Sequence, residues 1–416
     1  MRGLLPVLRN ERGQAVILGA VALLAAIAVA GLAVDAGRYF VVRAQLAKAV
    51  DGGALAGARV LPTGQESAET AALEVAEMNF APGFMNTTSH AFVATFDPDP
   101  SRARVAVRGN AELPTTLLRV VGIRTSTVTA FAEAERRPLS VAFVLDNSFS
   151  LDPSFAGVDA IGYLRDASET FVSYFDDTMD RMSLSLFSTG TVLPFALAHD
   201  FRAPMTASVR AMEAISHTNL ADGLASGHRQ LAADPDPSAF RALVFFTDGR
   251  PTAIRGRFPS TAGILDAVLI GDQEPGGSVD RDLYEADRLH ARIPGATFTG
   301  TQLPDGSPVT VPDLQALASR DVRAAAAAAR SGGITVYTIG LGNPHNPQAW
   351  KQPDAALLLE MANVPFGTDP QTGNTLVNAA YDRTQPEGGF YFVPDATELE
   401  AVFERVAQEI VLRLTQ

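Results

Sequence analysis

The 416-residue sequence predicts an α/β fold: a doubly wound, mostly parallel sheet, preceded by an amino-terminal transmembrane helix and a small α+β segment. Three observations predict it. An uncharged apolar run occupies Ala15 to Val34, β-branched alternation recurs between Ala91 and Ala134, and from Ser140 onward short apolar runs alternate with amphipathic helical patterns.

The first run, AVILGAVALLAAIAVAGLAV, is long enough to cross a hydrocarbon layer of about 30 Å as a helix. Arg2, Arg9 and Arg12 precede it with only Glu11 opposing, so the positive-inside tendency keeps the amino terminus in the cytoplasm and sends the chain after Asp35 outward. A cleaved signal peptide is the competing reading, because Ala28-Val29-Ala30 has the small-x-small cleavage pattern. A retained anchor is favoured: the run exceeds an h-region of about 7 to 15 residues, and a helical pattern continues beyond it. In that continuation Tyr39, Val42, Leu46, Val50 and Ala54 recur at steps of three and four, with Ala49, Gly53, Ala56 and Gly57 alongside. Such a narrow stripe packs either on the chain's own ectodomain or, in the manner of a pilin, on copies or partners. Prepilin processing after Gly13 would want Glu at the fifth mature position, where Leu18 stands.

A helix is predicted over Gln65 to Asn79, followed by a turn region to His90. The segments AFVATF, RVAVRG and TSTVTAFAEA then read as strands of a small domain that ends near Arg137 and Pro138 and serves as a spacer. The resulting division is 1–61 for the cytoplasmic tip, span and helical extension, 62–137 for the small domain, and 138–416 for the α/β domain.

In the α/β domain SVAFVL, MSLSLF, RALVFF and ITVYTIG read as strands, three of them nearly continuously apolar, as strands covered on both faces should be. Helical patterns lie between them: Ile161, Leu164, Ser168, Phe171 and Phe175; about Thr206 to Ile215; Leu220, Leu224, Gly227 and Leu231; and Leu314 to Ala329, closed by Gly332-Gly333. The last helix is predicted over Thr397 to Leu414, with Leu399, Val402, Phe403, Val406, Ile410 and Leu414 inward. Between about Thr252 and Pro312 an insertion rich in Gly, Pro and Asp far exceeds ordinary connections of about 2 to 6 residues. It leaves the third strand just after Asp248. It reads either as a lid or partner-contact loop over the strand ends, or as a decorative, partly disordered insertion at the side.

Ligands in such sheets sit beyond the carboxyl ends of the strands. There the first strand runs into Asp146-Asn147-Ser148-Phe149-Ser150, the third into Thr247-Asp248-Gly249, and Thr218 precedes the helix that begins near Asn219. Asp146, Ser148, Ser150, Thr218 and Asp248 therefore form a candidate metal site. Few carboxylates, neutral hydroxyls and open positions for water suit a hard divalent cation in a weak, open site: Mg²⁺ first, with Ca²⁺ or Mn²⁺ as alternatives. The string GDQEPGGSVDRD in the insertion is acidic, but its spacing does not match a calcium loop.

Composition removes several classes. With no Cys there is no disulfide framework, thiol nucleophile or Cys-ligated metal. With 33 basic against 46 acidic residues the net charge is −13, which argues against nucleic acid as a partner. No G-x-S-x-G, P-loop or clustered His supports an enzyme, and His217 beside Thr218 is the only His near the proposed site.

The strand leading into DNSFS, the segment HTNLADGL, the strand end FFTDG and the strand ITVYTIGLG resemble a von Willebrand factor type A domain with a metal-ion-dependent adhesion site. That resemblance implies Asp146, Ser148, Ser150, Thr218 and Asp248 as metal-site residues, with the three hydroxyls binding the cation directly and the two Asp often acting through water. Ser216-His217 stands just before the threonine where the family frequently has Gly. RNERGQAVILGAVALL with the following AVDAGRYFVVRAQLAKAVDGGALAGARVL is similar to TadG-like proteins of tight-adherence (Flp) pilus assembly, as are LPTTLLRVVG and GFYFVPDATELEAVF. Together the resemblances imply a non-enzymatic, single-pass protein of the bacterial inner membrane, with its carboxy-terminal domain periplasmic or extracellular. Its expected partners are other pilus-assembly components, captured when a partner's acidic side chain completes the coordination of the cation. The alternatives are a surface adhesin for an external protein ligand and a hydrolase using the strand-end crevice.

Overall fold

The computed structural model describes residues 11–61, 64–97, 104–272, 274, 276–343, 348, 351–370 and 372–413. Arg2 and Arg9, on which the orientation rests, and Leu414 of the last predicted helix lie outside the described residues. The chain forms two compact units that divide between Arg136 and Arg137.

The first unit contains α1 (Glu11–Val60), α2 (Gln65–Asn79), β1 (Ser89–Phe96), β2 (Arg104–Pro114) and β3 (Thr125–Glu135). The strands form an antiparallel sheet in the order β1-β2-β3. α1 is long and apolar enough to cross a membrane, and Val16, Leu18, Val21, Ile27 and Val29 on its first half are exposed. Its second half buries Val42, Leu46, Val50 and Ala54 in one core with Ala72 and Ala76 of α2 and Val105, Val107 and Val128 of the sheet. The small-residue stripe is thus covered within its own unit. A Cβ on Gly53 would lie 2.7 Å from the Ala72 carbonyl oxygen. Gly53→Ala is therefore expected to lower stability by about 1 kcal/mol, overpacking outweighing the gain in helix propensity. Thermal unfolding of the full chain in detergent checks this.

The second unit runs through β4 (Leu139–Asp146), α3 (Pro153–Ala156), α4 (Ala160–Ser173), β5 (Arg181–Phe187), β6 (Thr191–Ala198), α5 (Arg202–Arg210), α6 (Leu220–Ala232) and β7 (Phe240–Thr247). It continues through β8 (Ala253–Ser260), β9 (Gly263–Ile270), β10 (Asp282–Tyr284), β11 (Arg292–Thr297), α7 (Val311–Ser331), β12 (Thr335–Leu341), α8 (Ala355–Met361), β13 (Phe366–Thr368), β14 (Thr375–Val377), β15 (Gly389–Val393) and α9 (Leu399–Leu412). Its main sheet is mixed, in the order β15-β12-β7-β4-β5-β6, with β6 antiparallel at one edge and the other strands parallel.

β4 is buried along its whole length, and its side chains alternate between two cores. Val141, Phe143 and Leu145 join Leu164 and Phe171 of α4 and Phe403 of α9, whereas Ala142 and Val144 join Leu224 of α6 and Val322 of α7. Period-two alternation with both faces apolar is what makes this strand read as a continuous hydrophobic run. Because β4 and β7 are parallel neighbours in register, with Leu145 opposite Phe246, both deliver their carboxyl ends to one edge of the sheet.

Some elements differ from the sequence reading. The helix expected over Thr206 to Ile215 is α5, which ends at Arg210; Ile215 instead donates its N–H to the Asn147 carbonyl at 2.7 Å, drawing the chain toward the strand ends. The edge strand β6 has little alternating burial and carries Pro194, which an edge tolerates. The insertion is not a bare loop. Its strands β8 to β11 form an antiparallel sheet in the order β11-β10-β9-β8, with Ile254, Phe258, Leu269, Leu283 and Phe298 packed on Leu314 and Leu317 of α7.

Candidate metal centre

Asp146 is the last residue of β4, and Asp248 follows the last residue of β7. Ser148 occupies the position before the 3-10 turn Phe149–Leu151, and Thr218 stands one residue before Asn219, whose side chain caps α6 by accepting from the Asp222 N–H. Each loop is tied to the next. Phe149 N–H donates to the Ser216 carbonyl at 2.9 Å, Asn147 N–H to the Phe187 carbonyl at 3.0 Å, and Asn219 N–H to the Ser188 carbonyl at 2.8 Å.

Four of the five expected residues form one hydrogen-bonded run. Ser148 N–H donates to Asp146 Oδ1 at 2.8 Å, Ser148 Oγ and Ser150 Oγ lie 3.0 Å apart, and the Ser150 hydroxyl donates to Asp248 Oδ1 at 2.6 Å. Thr218 flanks the run. A Cβ on Gly249 would lie 3.3 Å from Thr218 Oγ1 and 3.8 Å from Ser150 Oγ, so a side chain at that position would sit between the two hydroxyls.

The carboxylates are deeply placed: Asp146 is fully buried and Asp248 only 7% exposed. Burial pushes Asp146 up to about 6, against the hydrogen bonds from Thr247 and Ser148 that favour its charged form. Burial, and then the neighbouring Asp146 charge, push Asp248 well above the usual carboxylate range. Among the described residues no Arg or Lys pairs with either group. No cluster of three or more His, Asp or Glu suited to a metal occurs among them either, so any metal chemistry here rests on two carboxylates plus hydroxyls. An all-oxygen set of this kind can hold a hard cation, and the remaining coordination positions would fall to water or a partner's oxygen.

Four further residues hold the site and were not singled out by spacing. The Thr247 hydroxyl donates to Asp146 Oδ2 at 2.6 Å. Asn147 Nδ2 donates to the Glu213 carbonyl at 3.2 Å. Thr252, where the insertion begins, accepts the Thr218 N–H on its hydroxyl and donates its own N–H to the Thr218 carbonyl, both at 2.9 Å. Ser216 adopts φ 55°, the left-handed conformation that glycine reaches without cost. The departure from Gly before Thr218 was the one signal of it in the sequence. Ser216 Oγ lies 2.9 Å from His217 Nδ1 and receives the Thr189 hydroxyl at 3.1 Å, bonds that help to keep the strained residue in place. Burial lowers the His217 pKa, with nearby His290 adding to the effect.

A cavity of about 540 Å³ opens beside the hydroxyls. Phe149, Ser150, His217 and Thr218 line it from the strand-end loops, and Asp272 and Glu274 of the insertion line it as well. The insertion therefore contributes a wall to the cavity that Ser150 and Thr218 of the candidate site line.

Residues 13–60 match the family model described as "Putative Flp pilus-assembly TadE/G-like". No curated protein matches the chain. Among solved structures the chain is similar to the von Willebrand factor domain of the type V pili tip protein Mfa5 from Porphyromonas gingivalis, at 16% identity over 68% of this chain and 97% of that one, with a TM-score of 0.43. It is similar to the pilus adhesin SpaC from Lactobacillus rhamnosus GG at 14% identity over 78% of this chain, with a TM-score of 0.42, and spans 35% of that adhesin's length. The PilB minor pilin from Streptococcus sanguinis is similar at 13% identity, over 79% of this chain and 80% of that one, with a TM-score of 0.41.

Proposed function

We propose that this chain is a membrane-anchored, non-enzymatic binding module of a tight-adherence (Flp-type) pilus or secretion apparatus, and that it holds a protein partner through a divalent cation at the strand ends of its second unit. The family match at residues 13–60 supports the apparatus, and the exposed apolar half of α1 supports the anchor. In this reading α1 crosses the inner membrane with its amino terminus inside, and the chain after Asp35 lies on its outer side.

The observation that carries the binding reading is the buried Asp146–Asp248 pair, linked through Ser148 and Ser150 and lacking a cationic side chain among the described residues. Two desolvated carboxylates without a counter-charge are costly, and a bound cation supplies that charge. Ser148, Ser150 and Thr218 would hold Mg²⁺ through their hydroxyls, with Asp146 and Asp248 acting around it through water. A partner's acidic side chain would reach the remaining position from the cavity. The test is capture with detergent-solubilised full chain from its native membrane, with Mg²⁺ or with chelator. Retention of one partner with Mg²⁺ and its release by chelator supports the reading; retention that ignores chelator removes the cation from it.

The carboxylates also set a pH dependence. Burial pushes Asp146 up to about 6, above its unfolded value near 3.9, so the folded state binds the extra proton between those values. The stability this contributes is fully present below the unfolded value and is lost as pH rises through about 6. Protons and cation compete for the same group. The melting temperature is therefore expected to rise with Mg²⁺ at about pH 7.5 and to change little at about pH 5. Thermal unfolding at the two pH values, with and without Mg²⁺, checks it.

A further inference from the structure

We propose that the tip of the β2–β3 hairpin, residues 116–123, is a second foothold on the membrane, seated in the headgroup and upper acyl region of the bilayer that α1 crosses. The proposal rests on the reading of α1 as a membrane span and concerns the first unit alone.

The tip is docked on the apolar run itself. A Cβ on Gly31 would lie 2.6 Å from Leu117 Cβ, so only glycine leaves room for Leu117 there. Gly31 lies three residues before Val34, where the uncharged run ends. At 1.5 Å of rise per residue Leu117 sits about 4–5 Å inside that end. Interfacial segments bury their apolar faces about 5–10 Å into the boundary, so the depth suits one.

The backbone of the tip is prepared for a setting where water is scarce. Asp35, the first charged residue after the run, is buried and accepts three N–H groups of the tip: Thr116 at 2.7 Å on Oδ1, with Leu117 at 2.9 Å and Leu118 at 2.8 Å on Oδ2. Arg38, 3.8 Å from Asp35, donates to the Pro114 carbonyl at 3.0 Å and the Met85 carbonyl at 2.8 Å, tying the hairpin to the turn that carries Met85. The turn closes on itself, with Gly122 at φ 94°, Ile123 N–H on the Leu118 carbonyl at 3.2 Å, and Thr115 N–H on the Arg124 carbonyl at 3.0 Å. Backbone groups next to lipid must be satisfied internally in this way.

The side chains divide accordingly. Leu117 is 36% exposed and Ile123 50% exposed, a wasteful arrangement in water but a favourable one against acyl chains. Arg119 and Arg124 are exposed beside them, placed for lipid phosphates. Continuity with the exposed apolar half of α1 argues for the bilayer as the occupant, in preference to a second protein.

The sequence contains no Cys, so single labels can be introduced without background. Full chain carrying Leu117→Cys or Ile123→Cys, labelled with a fluorophore, is reconstituted in vesicles of phosphatidylethanolamine and phosphatidylglycerol containing lipid nitroxides. Val21→Cys reports the span. Val93→Cys, opposite Arg108 and so eight residues, about 26 Å, along the sheet from the start of the tip, is the aqueous control. The labels at 117 and 123 are expected to be quenched several-fold more by a shallow nitroxide than the label at 93, and the label at 21 by a deep one. If 21 is quenched but 117 and 123 behave like 93, the foothold is wrong and the anchor stands. If 21 is not quenched, both fall. Labels at 117 and 123 that are protected from iodide but not quenched by lipid mark a protein-covered face, which also overturns the proposal.

Discussion

Replacing Asp146 by alanine is expected to lower cation affinity by up to about 100-fold and to abolish cation-dependent partner capture, the scale seen when a residue supporting a metal site through its outer shell is removed. The fold should survive. Asp146 is fully buried, so the substitution leaves the Thr247 hydroxyl and the Ser148 N–H without their acceptor, which costs stability. It also removes a desolvated carboxylate whose charge is pushed toward neutrality, and that relief opposes the loss. The metal-free variant is therefore expected to melt within a few degrees of the parent chain, while Mg²⁺ no longer raises its melting temperature.

The second large effect is expected at a residue that would never touch the cation. Thr252→Val keeps the shape of the side chain but removes the hydroxyl that accepts the Thr218 N–H at 2.9 Å. That N–H lies in a buried environment, and leaving such a donor unsatisfied costs about 1–3 kcal/mol. Part of the cost falls on the position of Thr218, so cation affinity should drop about tenfold, which corresponds to about 1.4 kcal/mol. Thr252→Ser restores the acceptor and should restore the affinity. Were Thr252 only a packing residue, valine would preserve binding and serine would not outperform it. Titration of Mg²⁺ into the two variants separates these outcomes.

Much of this was legible in the sequence because the signals were local. The charge-free run at Ala15 to Val34 and the β-branched strands around Val107 and Val128 follow from composition and period. The strand ends at Asp146 and Asp248 could be placed because apolar runs stop there against polar residues, and parallel pairing carries both to one edge. What escaped depended on distant partners. α5 ends early because Ile215 is drawn to Asn147, a contact between segments far apart in the chain. The insertion read as a loop because its strands carry Gly, Pro and charged residues, and their burial depends on distant partners: α7 covers one face, and Ala253, Val268, Ile270 and Tyr284 pack together on the other. Thr247 stood inside FFTDG without a role of its own, and Thr252 only marked the start of the insertion. Their roles come from facing Asp146 and Thr218 across the fold. The small residues at Gly53 and Gly57 were recognisable as a packing stripe, but only the fold shows that α2 and the sheet of the same unit cover them.

In the proposed site Asp146, Ser148, Ser150, Thr218 and Asp248 together hold one divalent cation. It is tested by calorimetric titration of Mg²⁺ into chelator-treated full chain, beside the Asp146→Ala variant, at about pH 7.5, above the value of about 6 to which burial pushes Asp146. A single saturable site is expected in the parent chain, weakened by up to about 100-fold in the variant. No binding to the parent chain, or equal binding to both, would contradict it.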